Sequence, residues 1–493
     1  RRQRQMCIRD RAGGGYNHWA TAGFFGRLNY NYKEKYLLEV NGRYDGTSRF
    51  MKDQRWNFFP SFSLGWNVAR ENFWKPLESV VNQFKLRGSW GELGNQNTSN
   101  LYPFYEILPV KSNSGNWLVN GGKTNTADIP SLVSTLLTWE RVRSFNVGFD
   151  FGAFSNRLTG SFDYFVRKTV DMVGPAPQLP LVLGIAPAIV NNADMKSYGF
   201  EIELSWRDRI GEVDYGVKFN LADAQQKVVK YPNTTNAFSD WYAGKMSGEI
   251  WGYTSLGIAK TDEEMKEHLA SLPNGGQNQL GNKWGAGDIM YADINGDGKV
   301  DGGKGTLADP GDQRIIGNST PRYNFGLVLD ASYKGFDVSI FFQGVGKRDY
   351  APIVGTNGAV FWGAVNNIWQ SMAMEEHFDY FRPEGHPMGA NLNGYYPRPD
   401  FTSNKNHQVQ TRYLQDASYI RLKNLQIGYT LPKQWINKLH INRCRVYVSG
   451  DNLWTGTSLA SMFDPETLAA GDWGSGKTYP LSKVISFGLN VNF

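Results

Sequence analysis

The feature that most constrains the fold is an alternation of apolar and polar residues that recurs in thirteen short segments. In the last of these, Leu489, Val491 and Phe493 share one face of an extended chain, while Asn490 and Asn492 share the other. The segments lie at residues 24–32, 36–44, 58–68, 84–90, 144–152, 158–166, 199–206, 213–221, 323–329, 336–342, 418–431, 443–448 and 484–493. Because a period of two residues indicates strands, the pattern predicts an all-β protein whose strands each have one apolar face.

The connections between consecutive segments alternate in length. Six are short to moderate, at 33–35, 69–83, 153–157, 207–212, 330–335 and 432–442. The six that alternate with them are mostly much longer, at 45–57, 91–143, 167–198, 222–322, 343–417 and 449–483. Short periplasmic turns and long extracellular loops are typical of outer-membrane barrels. The chain is therefore predicted to form an antiparallel transmembrane β-barrel in the outer membrane, with Glu39, Arg43 and Asp150 on its polar face.

Composition agrees with a membrane barrel and excludes membrane-spanning helices. No stretch approaches the roughly 18 consecutive apolar residues that a spanning helix requires. Hydrophobic residues make up 41% of the chain and the mean hydropathy is −0.46, as expected when only alternate residues of a strand face lipid. No Ser/His/Asp set, paired carboxylates or metal-spaced histidines can be nominated, so no enzymatic activity is predicted.

The first eleven residues, RRQRQMCIRDR, differ in composition from the rest of the chain. They hold five arginines and one aspartate, and without them the chain has 47 basic and 45 acidic residues. This balance offers no basic surface to a phosphate backbone, and no nucleic-acid partner is predicted. The stretch resembles a translated sequencing adaptor, although a basic arm would look the same. Residues 1–11 are therefore interpreted as non-native, and residues 12–493 as the barrel.

Residues 471–478, GDWGSGKT, match the phosphate-binding pattern GxxxxGK[ST]. That kind of site requires a buried strand before the glycines and a helix after them. Here Tyr479 and Pro480 follow, and then the last predicted strand. The motif is therefore predicted to be a glycine-rich extracellular loop without nucleotide binding.

Residues 293–304, DINGDGKVDGGK, resemble a calcium-binding loop. The candidate ligands are Asp293, Asn295, Asp297, the Lys299 carbonyl and Asp301. The twelfth position, where a bidentate glutamate is expected, is Lys304, so Asp309 or Asp312 would have to complete the shell. Calcium would act as a structural clamp on the long loop. The alternative is a series of Asx and glycine turns.

Aromatic residues in the long loop at 343–417 are candidates for contact with cargo or with a lid protein. Their rings could stack on sugars or on peptide side chains, although packing within the loop or a partner interface explains them equally well. The candidates are Trp362, Trp369, Tyr380, Tyr395 and Tyr396.

Seven segments, in the same order, resemble characteristic blocks of SusC/RagA-type TonB-dependent outer-membrane transporters. They are NYKEKYLLEVNGRYDGTSRF, FFPSFSLGWNVARENFW, KLRGSWGELGNQ, GDIMYADINGDGKVD, GDQRIIGNSTPRYNFGL, DASYIRLKNLQIGYTLP and RVYVSGDNLWT. The resemblance covers nearly everything from about residue 16 onward. The chain resembles the C-terminal barrel portion of such a transporter.

The resemblance implies properties that the spacing of residues does not show. Such a barrel has about 22 strands around an N-terminal plug, so this chain would be an incomplete barrel that lacks the plug, the TonB box and the first strands. A SusD-like surface lipoprotein would close over the loops, and TonB would supply energy for uptake. The terminal Phe493 resembles the signal read by the barrel-assembly machinery. One departure is the insertion GGKGTLADPG after the calcium-like loop, which weakens the metal assignment.

The function implied is TonB-dependent import of an oligomeric nutrient, an oligosaccharide or a peptide. Two alternatives stay open from the sequence. A passive outer-membrane porin would share the barrel without the coupling to TonB. A soluble β-rich carbohydrate-binding or adhesin protein would share the strand pattern without the membrane.

Overall fold

The computed structural model describes residues 16–493 except 97, 99, 177–179, 181, 183, 186, 353–358, 363–372, 401–402, 437–439 and 469–477. Its main feature is one antiparallel sheet of thirteen strands, each paired with its neighbours in chain order. The strands are β1 (Thr21–Tyr32), β2 (Tyr36–Thr47), β3 (Trp56–Asn67), β4 (Val81–Asn95), β5 (Glu140–Ala153), β6 (Leu158–Val173), β7 (Asn191–Ile210), β8 (Val213–Lys230), β9 (Arg322–Tyr333), β10 (Phe336–Lys347), β11 (Tyr419–Thr430), β12 (Arg443–Thr457) and β13 (Val484–Asn492). All thirteen predicted segments are confirmed as strands of this sheet.

The remaining elements are short and lie in the connections. The helices are α1 (Asp262–Ala270), α2 (Ala359–Trp362) and α3 (Lys433–Ile436), with 3₁₀ turns at Lys52–Gln54, Val68–Arg70, Asn72–Leu77, Glu375–Phe378 and Thr411–Tyr413. Small strands lie at Val110–Lys111, Leu118–Val119, Gly122–Lys123, Thr126–Ala127, Glu249–Gly252, Ser255–Ile258, Ile289–Tyr291, Arg314–Asn318, Asp349–Tyr350 and Gln415–Asp416. Within the described part of the chain, none of the helices has the length and apolar character needed to cross a bilayer.

The alternation of short and long connections is confirmed. At one edge of the sheet the connections are 33–35, 68–80, 154–157, 211–212, 334–335 and 431–442. At the other edge they are 48–55, 96–139, 174–190, 231–321, 348–418 and 458–483. The tightest turns need left-handed backbone, which Gly211 (φ 62°) and Gly335 (φ 92°) supply. The edge with long connections is the extracellular one.

Apolar residues lie in continuous rows across the sheet. One row contains Leu86, Phe149, Phe162, Ile202 and Leu221, each residue being the direct cross-strand partner of the next. Aromatic and branched side chains at directly opposed positions stabilise neighbouring strands. The row shows that the apolar faces of successive strands are on one side of the sheet.

No other described part of the chain covers this apolar surface. Leu28, Leu64 and Phe487 are 63%, 57% and 85% exposed, although each belongs to an apolar strand face. Large side chains exposed in this way are typical of the lipid-facing band of a membrane barrel. We call this surface the apolar belt. The sheet is open, because β1 and β13 lie at its two edges and do not pair with each other.

Several strands extend well beyond the segments that the sequence predicts. Strand β7 has 20 residues where alternation predicts only 199–206, and β8 has 18. Both extend further toward the extracellular edge, where positions on the apolar side of the sheet are taken by polar residues such as Lys196, Gln225 and Lys227, so the alternation of apolar and polar residues stops. The pattern therefore detects the membrane-embedded part of a strand and not its full length.

Candidate functional site

The extracellular loops at 231–321, 348–418 and 458–483 pack against one another around a common core. We call this assembly the loop domain. Its buried core consists of Tyr253, Ile258, Leu272, Ile289, Tyr291, Val300, Phe361, Trp362, Phe381, Tyr396, Tyr413, Ala417, Leu459, Phe463 and Leu468. All three loops contribute to this list, so the loops form one packed body above the strands.

The predicted contact aromatics occupy different environments in the loop domain. Trp362 and Tyr396 are 2% and 6% exposed, and the Trp362 ring lies 4.8 Å from that of Tyr413. These two rings therefore belong to the core, as the packing alternative anticipates. Tyr380 and Tyr395 are half-buried and retain accessible surface. Trp369 lies outside the described residues.

Two of the three loops are joined by a buried ionic cluster that the sequence analysis missed. The Asp288 carboxylate accepts hydrogen bonds from Arg398 Nε at 2.8 Å, Lys405 Nζ at 2.8 Å and Asn406 Nδ2 at 2.9 Å. Asp288 and Lys405 are fully buried, at 0% and 1% exposure. We call these four residues the Asp288 cluster. It joins the loop at 231–321 to the loop at 348–418.

The surroundings of the cluster also supply hydrogen-bond acceptors to the ammonium of Lys405, whose burial without them would cost free energy of folding. Lys405 Nζ donates to the carbonyls of Asn282 and Lys283 at 3.2 and 2.9 Å, and lies 4.9 Å from the centre of the Trp284 ring. Charged donors and acceptors with full hydrogen-bond partners fix geometry strongly in a low-dielectric interior. The cluster is thus a specific connection between the loops.

A histidine beside this cluster is buried without a hydrogen bond to its side-chain nitrogen Nδ1. The ring of His407 stacks on Trp362 with the ring centres 4.3 Å apart. Burial lowers the pKa of His407 from 6.5 to about 4. The imidazole is therefore neutral in the folded loop domain at neutral pH.

We expect the loop domain to lose stability as the pH falls from the ordinary pKa of histidine, 6.5, to the lowered pKa of His407, about 4. The unfolded chain binds a proton near pH 6.5 and the folded chain only near pH 4, so acidification favours unfolding. The loss from pH 7 to pH 4 is about 3 kcal/mol, from about 1.4 kcal/mol per pKa unit. Thermal unfolding across this range measures it. His407→Phe, which keeps an aromatic ring on Trp362, should flatten this part of the profile, and an unchanged slope would contradict the assignment.

The calcium-like loop is held by hydrogen bonds within the chain. Asp293 accepts from the backbone N–H groups of Gly296 and Gly298 at 2.7 and 2.8 Å. The Lys299 ammonium forms an ion pair with Asp301 and lowers the pKa of that carboxylate below its usual value. Burial of Asp301 acts in the opposite direction but is the smaller effect. These contacts match the Asx-turn alternative.

Asp312, one of the two acids considered for completing the metal shell, binds the loop backbone instead. It is fully buried and accepts from the N–H groups of Ile294 at 2.7 Å and Asp301 at 2.8 Å. Burial raises the Asp312 pKa. Within the described residues, no group of three or more His, Cys, Asp or Glu side chains converges as metal ligands would. Calcium binding stays a prediction, which calorimetric titration of the folded protein tests.

The face of the sheet opposite the apolar belt carries paired charges. Arg87 on β4 donates to both carboxylate oxygens of Asp163 on β6 at 2.5 Å and to Asp150 on β5 at 3.1 Å. A depression of about 470 Å³ lies beside this arginine. Other polar residues that line it are Asn29, Glu39, Ser63, Lys85 and Asn146. This polar surface is the face that a closed barrel would turn toward its lumen.

Two predicted features lie at the C-terminal end of the chain. Of the GDWGSGKT motif, residues 471–477 are outside the described residues, so its loop assignment stays a prediction. Phe493 follows β13 and is 84% exposed, and its role as an assembly signal also stays a prediction.

A comparison with protein-family models decides the family. The model for the TonB dependent receptor-like β-barrel matches residues 9–453. The chain belongs to this family. As a member of the TonB-dependent receptor family it is an outer-membrane β-barrel protein, and the soluble alternative is wrong.

Individual relatives of this TonB-dependent receptor chain agree with the family assignment. TonB-dependent receptor P3 of Formosa agariphila is 30% identical over 97% of this chain and 46% of its own length. TonB-dependent receptor SusC of Bacteroides thetaiotaomicron is 24% identical over 95% of this chain and 43% of its own length. The chain therefore spans about half the length of the curated relatives that it matches.

Solved structures confirm the fold of this TonB-dependent receptor chain. A structure described as the RagAB peptide transporter superposes with a TM-score of 0.73 and 23% identity, over 96% of this chain and 48% of that one. The likeness confirms a SusC/RagA-type barrel architecture. The open sheet is consistent with an incomplete barrel.

Proposed function

We propose that this chain forms the barrel part of a TonB-dependent importer for an oligomeric nutrient, an oligosaccharide or a peptide. The observation that carries the proposal is the loop domain, in which three extracellular loops form one packed body beside a sheet that has a polar face opposite the apolar belt. A simple diffusion pore has no need of such a body. A large, specifically connected loop surface suits an importer that binds cargo outside the membrane.

The relatives support the same proposal. One is named SusC, and one solved relative is described as a peptide transporter. By analogy, we propose a SusD-like lipoprotein as the partner that closes over the loop domain, and TonB as the source of energy. In this proposal Tyr380 and Tyr395, which retain accessible surface, contact cargo or lid, and the chain catalyses no covalent reaction.

The experiment measures uptake of fluorescent oligosaccharides and of peptides of similar size, in cells that contain or lack TonB. An importer should show saturable uptake of one cargo class that disappears without TonB. Uptake that rises in proportion to concentration and is unchanged by loss of TonB would instead establish the passive-porin alternative. Cells without this protein provide the background.

A further inference from the structure

Four basic residues form a row across neighbouring strands. Arg143 on β5 is the direct cross-strand partner of Lys168 on β6, which pairs with Lys196 on β7, which pairs with Lys227 on β8. Like charges that are directly opposed on neighbouring strands destabilise a sheet. We call these residues the basic row, and its presence needs an explanation.

The basic row lies on the lipid-facing side of the sheet. On β6, Lys168 follows Val166 with the two-residue period of the apolar face, and on β7 Lys196 precedes Tyr198 in the same way. Val166 and Tyr198 are themselves cross-strand partners. Lys168 and Lys196 are therefore directly next to the apolar belt, and Lys227 lies on the same side of the sheet beyond Gln225 and Asp223 of β8.

The height of the row places it at the extracellular membrane interface. Trp206 on β7 lies near the short turn at 211–212, and Lys196 precedes it by ten positions on the same face. Ten residues extend about 33 Å along a strand, or about 23 Å along the membrane normal at a tilt near 45°. This distance is close to the roughly 25 Å height of the apolar band of a barrel.

Most of the positive charge in the row has no counter-charge among the residues that the structure describes. Arg143 is paired with Glu92 on β4 at 2.7 Å. Lys168, Lys196 and Lys227 form no ion pair with any described residue. The Lys196 ammonium lies instead 5.1 Å from the centre of the Tyr198 ring. Within the described part of the chain, three adjacent ammonium groups at the membrane surface thus have no acidic partner.

We propose that the basic row binds the phosphate groups of a lipid headgroup in the outer leaflet. Ammonium groups at the rim of the apolar belt are placed for headgroup phosphates, while the belt below them receives the acyl chains. A lipid with a phosphorylated headgroup contacts both surfaces with one molecule, because its acyl chains lie on the apolar belt while its phosphates reach the ammonium groups. The lipid occupant is therefore the one that both surfaces fit.

Native mass spectrometry of the protein extracted from outer membranes in mild detergent tests the proposal. The test variant is Lys168→Gln/Lys196→Gln/Lys227→Gln. Its matched control, Lys33→Gln/Lys334→Gln/Lys433→Gln, removes the same charge from exposed positions at the short-turn edge. Wild type and control should retain phosphorylated lipid. The test variant should bind this lipid roughly 100-fold more weakly, because each lysine contributes about fivefold to the affinity. Heat-modifiable gel migration shows that each variant is folded.

Three results would overturn the proposal. Equal lipid retention in the test and control variants would remove the role of the basic row. Lipid lost equally from wild type and variants would exclude a specific site. Addition of inorganic phosphate or of lipid A micelles to delipidated protein separates the two phosphate sources. Binding of inorganic phosphate as tight as that of lipid A would contradict the lipid assignment.

Discussion

Replacing Asp288 with alanine should destabilise the loop domain by about 3–5 kcal/mol, the usual result of removing one partner of a buried ion pair. The loss would leave the ammonium of Lys405, which is 1% exposed, without its carboxylate. Arg398, whose side chain is 39% exposed, can turn toward water. Hydrogen exchange of amides in the loop domain measures the effect, because it reports opening free energies region by region.

The matched control is Glu263→Ala, which removes an exposed carboxylate from α1 in the same loop. It should change the opening free energy by less than about 0.5 kcal/mol. The double variant Asp288→Ala/Lys405→Met removes both buried charges and should recover much of the lost stability. If Asp288→Ala alone left exchange in the loop domain unchanged, the cluster would have no stabilising role.

Replacing Ile202 with arginine should cost about 2–4 kcal/mol, the penalty for a cation near the bilayer midplane on the lipid face of a barrel. Ile202 lies between Phe162 and Leu221 in the apolar belt. It is four positions from Trp206 and six from Lys196, so it lies close to the middle of the band. Urea-dependent folding into lipid vesicles measures the cost.

The control for this variant is the next residue along the same strand. Glu203 has Ser161 and Asn220 as its cross-strand partners and belongs to the polar face. Glu203→Arg should fold with little loss, because its side chain faces water in a closed barrel. Equal penalties at the two positions would show that β7 has no lipid-facing side.

Most of the architecture could be predicted because lipid imposes a period of two on every embedded strand. Ile202 and Glu203 show this directly, since adjacent residues face opposite solvents. The sequence of the loop domain has no such two-residue period. Its fold depends on contacts such as Asp288 with Lys405, 117 positions apart, which no local pattern indicates. Trp362 illustrates the result, because an aromatic residue in a loop gives the same sequence signal whether it is buried or exposed.

The basic row could be predicted from the sequence only in part. Lys168 and Lys196 occupy apolar-face positions of their strands, and this break in the alternation is visible in the sequence. The sequence does not show that Lys168 and Lys196 are cross-strand partners, because the register of paired strands depends on the length and geometry of each turn. Only the paired strands show that the basic residues form one row.

The Asp288 cluster also constrains the order in which the protein can be assembled. Its two halves are separated by β9, the turn at 334–335 and β10, a complete hairpin that crosses the membrane and returns. Both flanking loops must therefore reach the cell exterior before Asp288 can meet Lys405. Once they meet, backward movement of that hairpin would require a buried ion pair to break. Closure of the loop domain would thus make insertion of the hairpin directional.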